Sequence, residues 1–231
     1  MTRTLYDLAA ADPDVRFSPF CWRTKLALAH KGLEIETVPW RFADREALAF
    51  SGQARVPVLV DGGSTVFDSW RIAEYLEDAY PNRPSLFGGD AGRGVARFVN
   101  SWADLVLNAG LIRFVALDIL AALDEKDRDY FRRSREERFG TTLEAFCAGR
   151  EERVAEFRRS LAPLRATLSA QPYLAGAAPA YADYIVFGSF QWVRSISAFE
   201  VLAPDDPVAL WRERLLAAFD GLAREAPRAA A

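Results

Sequence analysis

The 231-residue chain has one histidine, one methionine and two cysteines, and each scarcity removes a class of chemistry. His30 alone cannot furnish a histidine-based metal site, and no clustered cysteines or carboxylates make up the deficit, so no metal is expected. Cys21 and Cys147 share no motif, which suits free thiols in a reducing compartment and points to the cytoplasm. No uninterrupted apolar run approaches membrane-spanning length, so no membrane span is expected. The opening residues do not read as a signal peptide, because acidic residues and Pro13 interrupt any apolar stretch. P-loop, G-x-G-x-x-G and G-x-S-x-G signatures are all missing. A formal charge of -3 gives no electrostatic reason to expect nucleic acid. The basic residues after Arg128 are interleaved with acidic ones, as on solvated helix faces. A chain without these signatures suits a mechanism whose reactive atom arrives on a ligand.

What is present is an ordinary globular composition, 51% hydrophobic and 26% charged. Thr4 to Leu8 reads as a strand, and Pro19 to Lys31 as a helix stopped by Gly32. Glu34 to Val38 alternates as a second strand, and a short helix is expected between Trp40 and Phe50. Val56 to Val60 enters a strand, Asp61-Gly62-Gly63 turns it, and Thr65 to Phe67 returns. Asp68-Ser69 then opens a helix with Ile72, Tyr75, Leu76 and Ala79 on one face. This β-α-β-α-β-β-α order is that of a thioredoxin-like α/β domain over residues 1–80. Prolines and glycines mark a linker at 81–93. Residues 94–231 read as an all-helical domain. Its first helix shows Val95, Phe98, Val99, Trp102, Leu105 and Val106 at spacings of three and four, a core stripe. Leu143–Phe146, Val154–Leu168, Tyr184–Val193 and Leu210–Phe219 read likewise.

Three short segments can carry chemistry. Ser18-Pro19-Phe20-Cys21 begins the first helix, where unpaired amides and the helix dipole stabilise an anion such as a thiolate. Ser18 in the leading position prevents a disulfide across the motif, yet its hydroxyl can donate to a sulfur brought by a ligand. Cys21 itself reads as a buried core thiol. Val56-Pro57 precedes a strand and, in thioredoxin-like domains, is a cis bond that turns the Val56 backbone toward a peptide-like ligand. Asp68-Ser69 offers amides and a hydroxyl to a carboxylate, and a carboxylate to an ammonium. Each segment alone is also an ordinary cap or strand start.

Taken together, Ser18-Pro19, Arg55-Val56-Pro57-Val58-Leu59, Asp68-Ser69 with Ile72 and Tyr75-Leu76, and Tyr80-Pro81 resemble the glutathione transferase superfamily. The resemblance implies an all-helical second domain, glutathione as cosubstrate, a homodimer, and Ser18 as the catalytic residue. It places Phe20, Arg55, Val56, Pro57, Asp68 and Ser69 around the tripeptide, with Arg41 and Arg45 as further candidates for its glycyl carboxylate. Trp102, Phe114 and Trp192 are candidates for an acceptor pocket, core packing being the alternative for each.

Trp22-Arg23-Thr24-Lys25, His30-Lys31-Gly32, Ser134-Arg135-Glu136, Gly149-Arg150-Glu151, Asp205-Asp206-Pro207 and Phe219-Asp220-Gly221 are similar to bacterial glutathione-dependent β-etherases. That likeness implies an aromatic acceptor and cleavage of a β-aryl ether. A general conjugating transferase, a glutathione-dependent isomerase or reductase, a non-catalytic binding module and thiol-disulfide exchange through Cys21 are the alternatives. One departure from the superfamily pattern is Ala180-Tyr181-Ala182-Asp183, which keeps the acid of a capping box but lacks its hydroxyl, a change of about 1 kcal/mol.

Overall fold

The computed structural model describes residues 3–229. Strand β1 (Arg3–Leu8) lies centrally in a four-stranded sheet of order β2-β1-β3-β4. It runs parallel to β2 (Ile35–Trp40) and antiparallel to β3 (Val58–Asp61), which pairs with β4 (Ser64–Phe67). Leu5 opposite Leu59 and Tyr6 opposite Val58 fix the register, and Leu5, Val58 and Leu59 are fully buried. Helix α1 (Pro19–His30) packs against α2 (Ser69–Ala79). The expected short helix is a 3-10 segment, Arg45–Ser51. The thioredoxin-like topology is therefore present.

Helix α3 (Asp90–Trp102) starts inside the expected linker, so residues 90–93 are helical. Gly92 permits this, because a side chain there would collide with the Phe87 carbonyl oxygen. One turn of π-helix (Ala103–Leu107) joins α3 to α4 (Asn108–Ala122), making a continuous rod of 33 residues. By length and composition the rod could cross a bilayer, a property that a search for uninterrupted apolar runs misses. The rod packs against a later helix, α9 (Tyr181–Ile196), and Asp118 pairs with Arg150 and Ser197.

The expected core stripe of this rod is reversed. Val95, Phe98, Leu105 and Val106 are exposed, and Val99 and Trp102 are half-buried. The buried face is Ala96, Asn100, Ala103, Leu107 and Leu111. At the α3 end of this face Asn100 turns inward because the fully buried Arg23 of α1 donates to it there.

The remaining helices are α5 (Glu125–Phe139), α6 (Leu143–Cys147), α7 (Arg150–Ser160), α8 (Ala162–Ala170) and α10 (Pro207–Gly221). The single run expected from Val154 to Leu168 is two helices, α7 and α8, divided at Leu161 just before Pro163. Similarly, α10 is interrupted at Ala218–Asp220, where Phe219 and Asp220 take positive φ. Helix α9 forms the centre of the helical domain. Ala180 provides no side-chain cap, as expected, while the buried Asp183 accepts from Leu174 N (2.7 Å), Ala175 N (3.1 Å), Ala180 N (3.2 Å) and Trp211 Nε1 (2.8 Å). His30 bridges the domains: its Nε2 donates to the Ser85 carbonyl (3.1 Å), leaving Nδ1 to accept from the Tyr184 hydroxyl (2.7 Å). Burial holds the His30 pKa below its ordinary value, which keeps this neutral arrangement.

Candidate functional site

Ser18 is the N-cap of α1, extended at φ -67° and ψ 125°, and its Oγ accepts from Cys21 N at 3.2 Å. Pro19 has no N–H, and Trp22 N donates to the Ser18 carbonyl at 3.0 Å. Of the first-turn amides, Phe20 N–H is therefore the one left without a partner among the described residues. The row of unpaired amides expected from sequence is reduced to one amide and one hydroxyl. The Ser18 hydroxyl hydrogen has one internal acceptor at hand, the buried Cys21 thiol, from which it must turn to reach a ligand's sulfur. Ser18 is only 3% exposed, whereas Phe20 is 36% exposed.

Cys21 is fully buried, with Sγ 4.0 Å from the Tyr6 carbonyl oxygen. Burial, and after it the charge of Asp7, pushes its thiol well above the ordinary range. The neutral form is thus favoured, which weighs against thiol-disulfide exchange at this position. Asp7 is neutralised by Lys25, whose Nζ lies 2.8 Å from Oδ2 and 3.5 Å from the centre of the Trp22 ring.

The Val56-Pro57 bond is cis, and neither the N–H nor the C=O of Val56 has a backbone partner among the described residues. Asp68 caps α2 from a positive φ of 71°, with Oδ1 accepting from Trp70 N (3.0 Å) and Arg71 N (3.1 Å). Ile72 N uses the Asp68 carbonyl, so Ser69 N–H is the remaining unpaired amide of this turn among the described residues. One Asp68 oxygen is spent on the cap and the other remains for a cation. The Ser69 carbonyl accepts from the buried Tyr181 hydroxyl at 2.6 Å, tying this turn to the helical domain.

The arginines differ in availability. Arg41 places Nε and Nη2 on the carbonyls of Ala10 (3.1 Å) and Ala11 (2.8 Å), which leaves Nη1 as its donor for a ligand carboxylate. Arg45 lies over the Tyr130 ring at 5.3 Å, and Arg55 is exposed near Arg135.

A cavity of about 960 Å³ opens between α2 and α3, lined by Asp68, Trp70 and Arg71 on one side and Arg97, Asn100 and Asp104 on the other. Trp102, Phe114 and Trp192 do not line it. Phe114 is buried between Phe157 (5.3 Å) and the stacked Phe199 (5.7 Å), Trp192 is 8% exposed, and Trp102 is half-buried. Helical spacing alone does not separate a ring in a core from a ring in a cleft. Sequence reasoning also passed over Arg23, Asn100 and Asp104 as site residues. The available signal was a charged Arg23 amid the apolar residues of α1. Among the described residues no group of three or more His, Cys, Asp or Glu is placed to hold a metal ion.

Models of the glutathione S-transferase N-terminal and C-terminal domains match residues 17–79 and 94–206, enclosing Ser18, Val56-Pro57, Asp68-Ser69 and the α3–α9 bundle. The chain belongs to the glutathione transferase superfamily. A probable glutathione S-transferase of rice, Oryza sativa subsp. japonica, is 36% identical over 104 residues, covering 40% of this chain and 44% of its own. The maleylacetoacetate isomerase of Pseudomonas aeruginosa is 34% identical over 107 residues, covering 41% of this chain and 50% of its own. Both alignments thus span half or less of these curated relatives. A Ceriporiopsis subvermispora glutathione S-transferase solved in complex with glutathione superimposes with a TM-score of 0.79 at 24% identity, covering 99% and 100% of the two chains. A Phanerochaete chrysosporium glutathione transferase gives 0.83 at 24% identity, covering 96% and 97%. At these identities the two structures establish a shared transferase fold.

Proposed function

We propose that this transferase binds glutathione across the starts of α1 and α2, and that its thiolate attacks a hydrophobic, aromatic electrophile. The observation that carries the reading is the Ser18 hydroxyl at the start of α1, beside the free Phe20 amide. In this reading the Val56 backbone pairs with the cysteinyl residue, lying by Pro57 as one more strand. Ser69 N–H and hydroxyl take the γ-glutamyl carboxylate, and the free Asp68 oxygen takes its ammonium. Arg55 serves the glycyl carboxylate. A free thiol of pKa about 8.5 would be lowered by roughly one to two units at such a helix start.

The substrate class supported by the etherase-like segments is a β-aryl ether next to a ketone. The thiolate forms a carbon–sulfur bond as the carbon–oxygen bond breaks. The aryloxide leaves with that bond's electron pair and takes a proton from water, giving a thioether and a phenol with no net redox change. The maleylacetoacetate isomerase relative favours one second reading, in which the thiolate adds reversibly to a conjugated double bond and is expelled after rotation. The two buried cysteines suit a cytoplasmic protein in either case.

Glutathione titration with ultraviolet thiolate detection, followed by turnover of a β-aryl ether ketone, a chloronitrobenzene and a cis-conjugated diacid, tests these readings. Thiolate formation with ether cleavage is the expected result. Turnover of the halide or the diacid alone reassigns the substrate, and binding without thiolate formation overturns the catalytic reading.

A homodimer is also proposed, from the reversed stripe. Val95, Phe98, Leu105 and Val106 are 63%, 72%, 77% and 54% exposed, more apolar surface on one rod than water tolerates well. Sedimentation is expected to give twice the chain mass, and Phe98→Glu with Leu105→Glu should halve it. A wild-type protein that sediments as a monomer removes this proposal.

A further inference from the structure

Arg23 has no exposed surface, although it belongs to the helix that starts at the candidate thiolate site. Its Nε donates to the Ile185 carbonyl (3.3 Å), Nη1 to Asn100 Oδ1 (3.1 Å) and Nη2 to Asp104 Oδ1 (2.8 Å). Asn100 Nδ2 in turn donates to Asp104 Oδ2 at 3.0 Å, so both carboxylate oxygens are fixed. All three acceptors belong to the helical domain, on α9, on α3 and on the π turn. Single π turns inside α-helices occur frequently at functional positions.

On its other side the guanidinium lies 4.9 Å from the centre of the Phe20 ring. A planar guanidinium suits this stacking, whereas an ammonium on a flexible stem does not reproduce it. Nearby, α9 meets the same turn through bare backbone. A side chain at Gly188 would come within 2.5 Å of the Pro19 carbonyl oxygen and 3.1 Å of Arg23 Cγ. The turn that carries the free Phe20 amide is therefore seated on the helical domain, with Arg23 as its link.

We propose that Arg23 is a positioning residue for thiol activation. Its guanidinium, locked by Ile185, Asn100 and Asp104, holds the Phe20 ring so that the adjoining amide faces the incoming sulfur. This rests on the transferase reading above. It adds that thiolate formation in the thioredoxin-like domain depends on how the helical domain grips α1.

The alternatives make different predictions. A purely structural ion pair would alter stability and leave the bound thiol's pKa unchanged. Action through positive charge alone would be strengthened by Asp104→Asn, which removes the neutralising carboxylate, and the thiol's pKa would fall. Positioning predicts the opposite sign. The amide introduced by Asp104→Asn faces both the Arg23 guanidinium and the Asn100 amide, cannot accept from both, and loosens the grip.

The test is the thiolate titration of bound glutathione in the full chain carrying Arg23→Lys, Asp104→Asn, Phe20→Leu, or Arg23→Lys with Phe20→Leu. Each single variant is expected to raise the bound thiol's pKa by about one unit, a roughly tenfold smaller thiolate fraction at neutral pH. The double variant should be no worse than Phe20→Leu alone, since both changes act on one amide. An unchanged pKa in Phe20→Leu, a fall in Asp104→Asn, or full additivity overturns the proposal. Phe20 is partly exposed, so its variant decides the matter even where Arg23→Lys does not fold. A wild-type protein that fails to lower the glutathione pKa would instead remove the transferase reading itself.

Discussion

Ser18→Ala is expected to raise the pKa of bound glutathione by about one unit and to lower kcat/KM at neutral pH by up to about tenfold. The hydroxyl has two separable tasks. As an acceptor from Cys21 N it caps α1, and losing that bond costs about 1 kcal/mol of stability, too little to unfold a domain. As a donor its one internal partner is the neutral Cys21 thiol, a weak acceptor that a ligand's sulfur anion can displace. Removing it leaves the Phe20 amide and the helix dipole in place, so activation weakens without disappearing. The pH dependence separates this role from a general structural defect. Once pH exceeds the variant's thiol pKa, glutathione is ionised in both proteins and their rates should converge. A deficit that stays constant across the pH profile would exclude Ser18 from thiolate stabilisation.

The largest expected effect on stability belongs to Asp183→Ala. The buried carboxylate gathers three part-buried backbone amides, from Leu174, Ala175 and Ala180, together with the buried indole N–H of Trp211. A buried donor left without an acceptor costs about 1–3 kcal/mol and a part-buried one less, so the substitution should remove about 2–4 kcal/mol. That is a large share of the ~5–15 kcal/mol that holds a typical domain folded. Urea unfolding followed by tryptophan fluorescence measures it. A midpoint displaced by the equivalent of less than ~1 kcal/mol would mean that water satisfies these donors, contrary to the network described.

The βαβ start and the two helix caps at Ser18 and Asp68 were legible because their signals are local. Gly, Pro, Ser and Asp act on backbone within a few residues of themselves. What could not be read was determined at long range. Arg23 and Asp104 are 81 positions apart, so nothing near either residue announces their ion pair. Arg41 has the same charge as Arg55, yet the carbonyls of Ala10 and Ala11 hold its Nε and Nη2. The α3 stripe failed for a related reason. Periodicity shows that a helix has an apolar face but not which neighbour it meets, and here Ala96, Asn100 and Ala103 are buried, Asn100 against the buried arginine, while Phe98 and Leu105 face outward. Trp102, Phe114 and Trp192 carry the same ambiguity, because a large aromatic ring fills a core as well as it lines a cleft.

The bare backbone contact at Gly188 has a consequence for how such a protein can diversify. With no room for even a methyl group against Pro19, the two halves have little freedom to re-angle without breaking the seat of the sulfur. New acceptor preferences therefore have to come from regions remote from that seam. The broken end of α10 and the solvated α5 offer the chain latitude that its centre denies it.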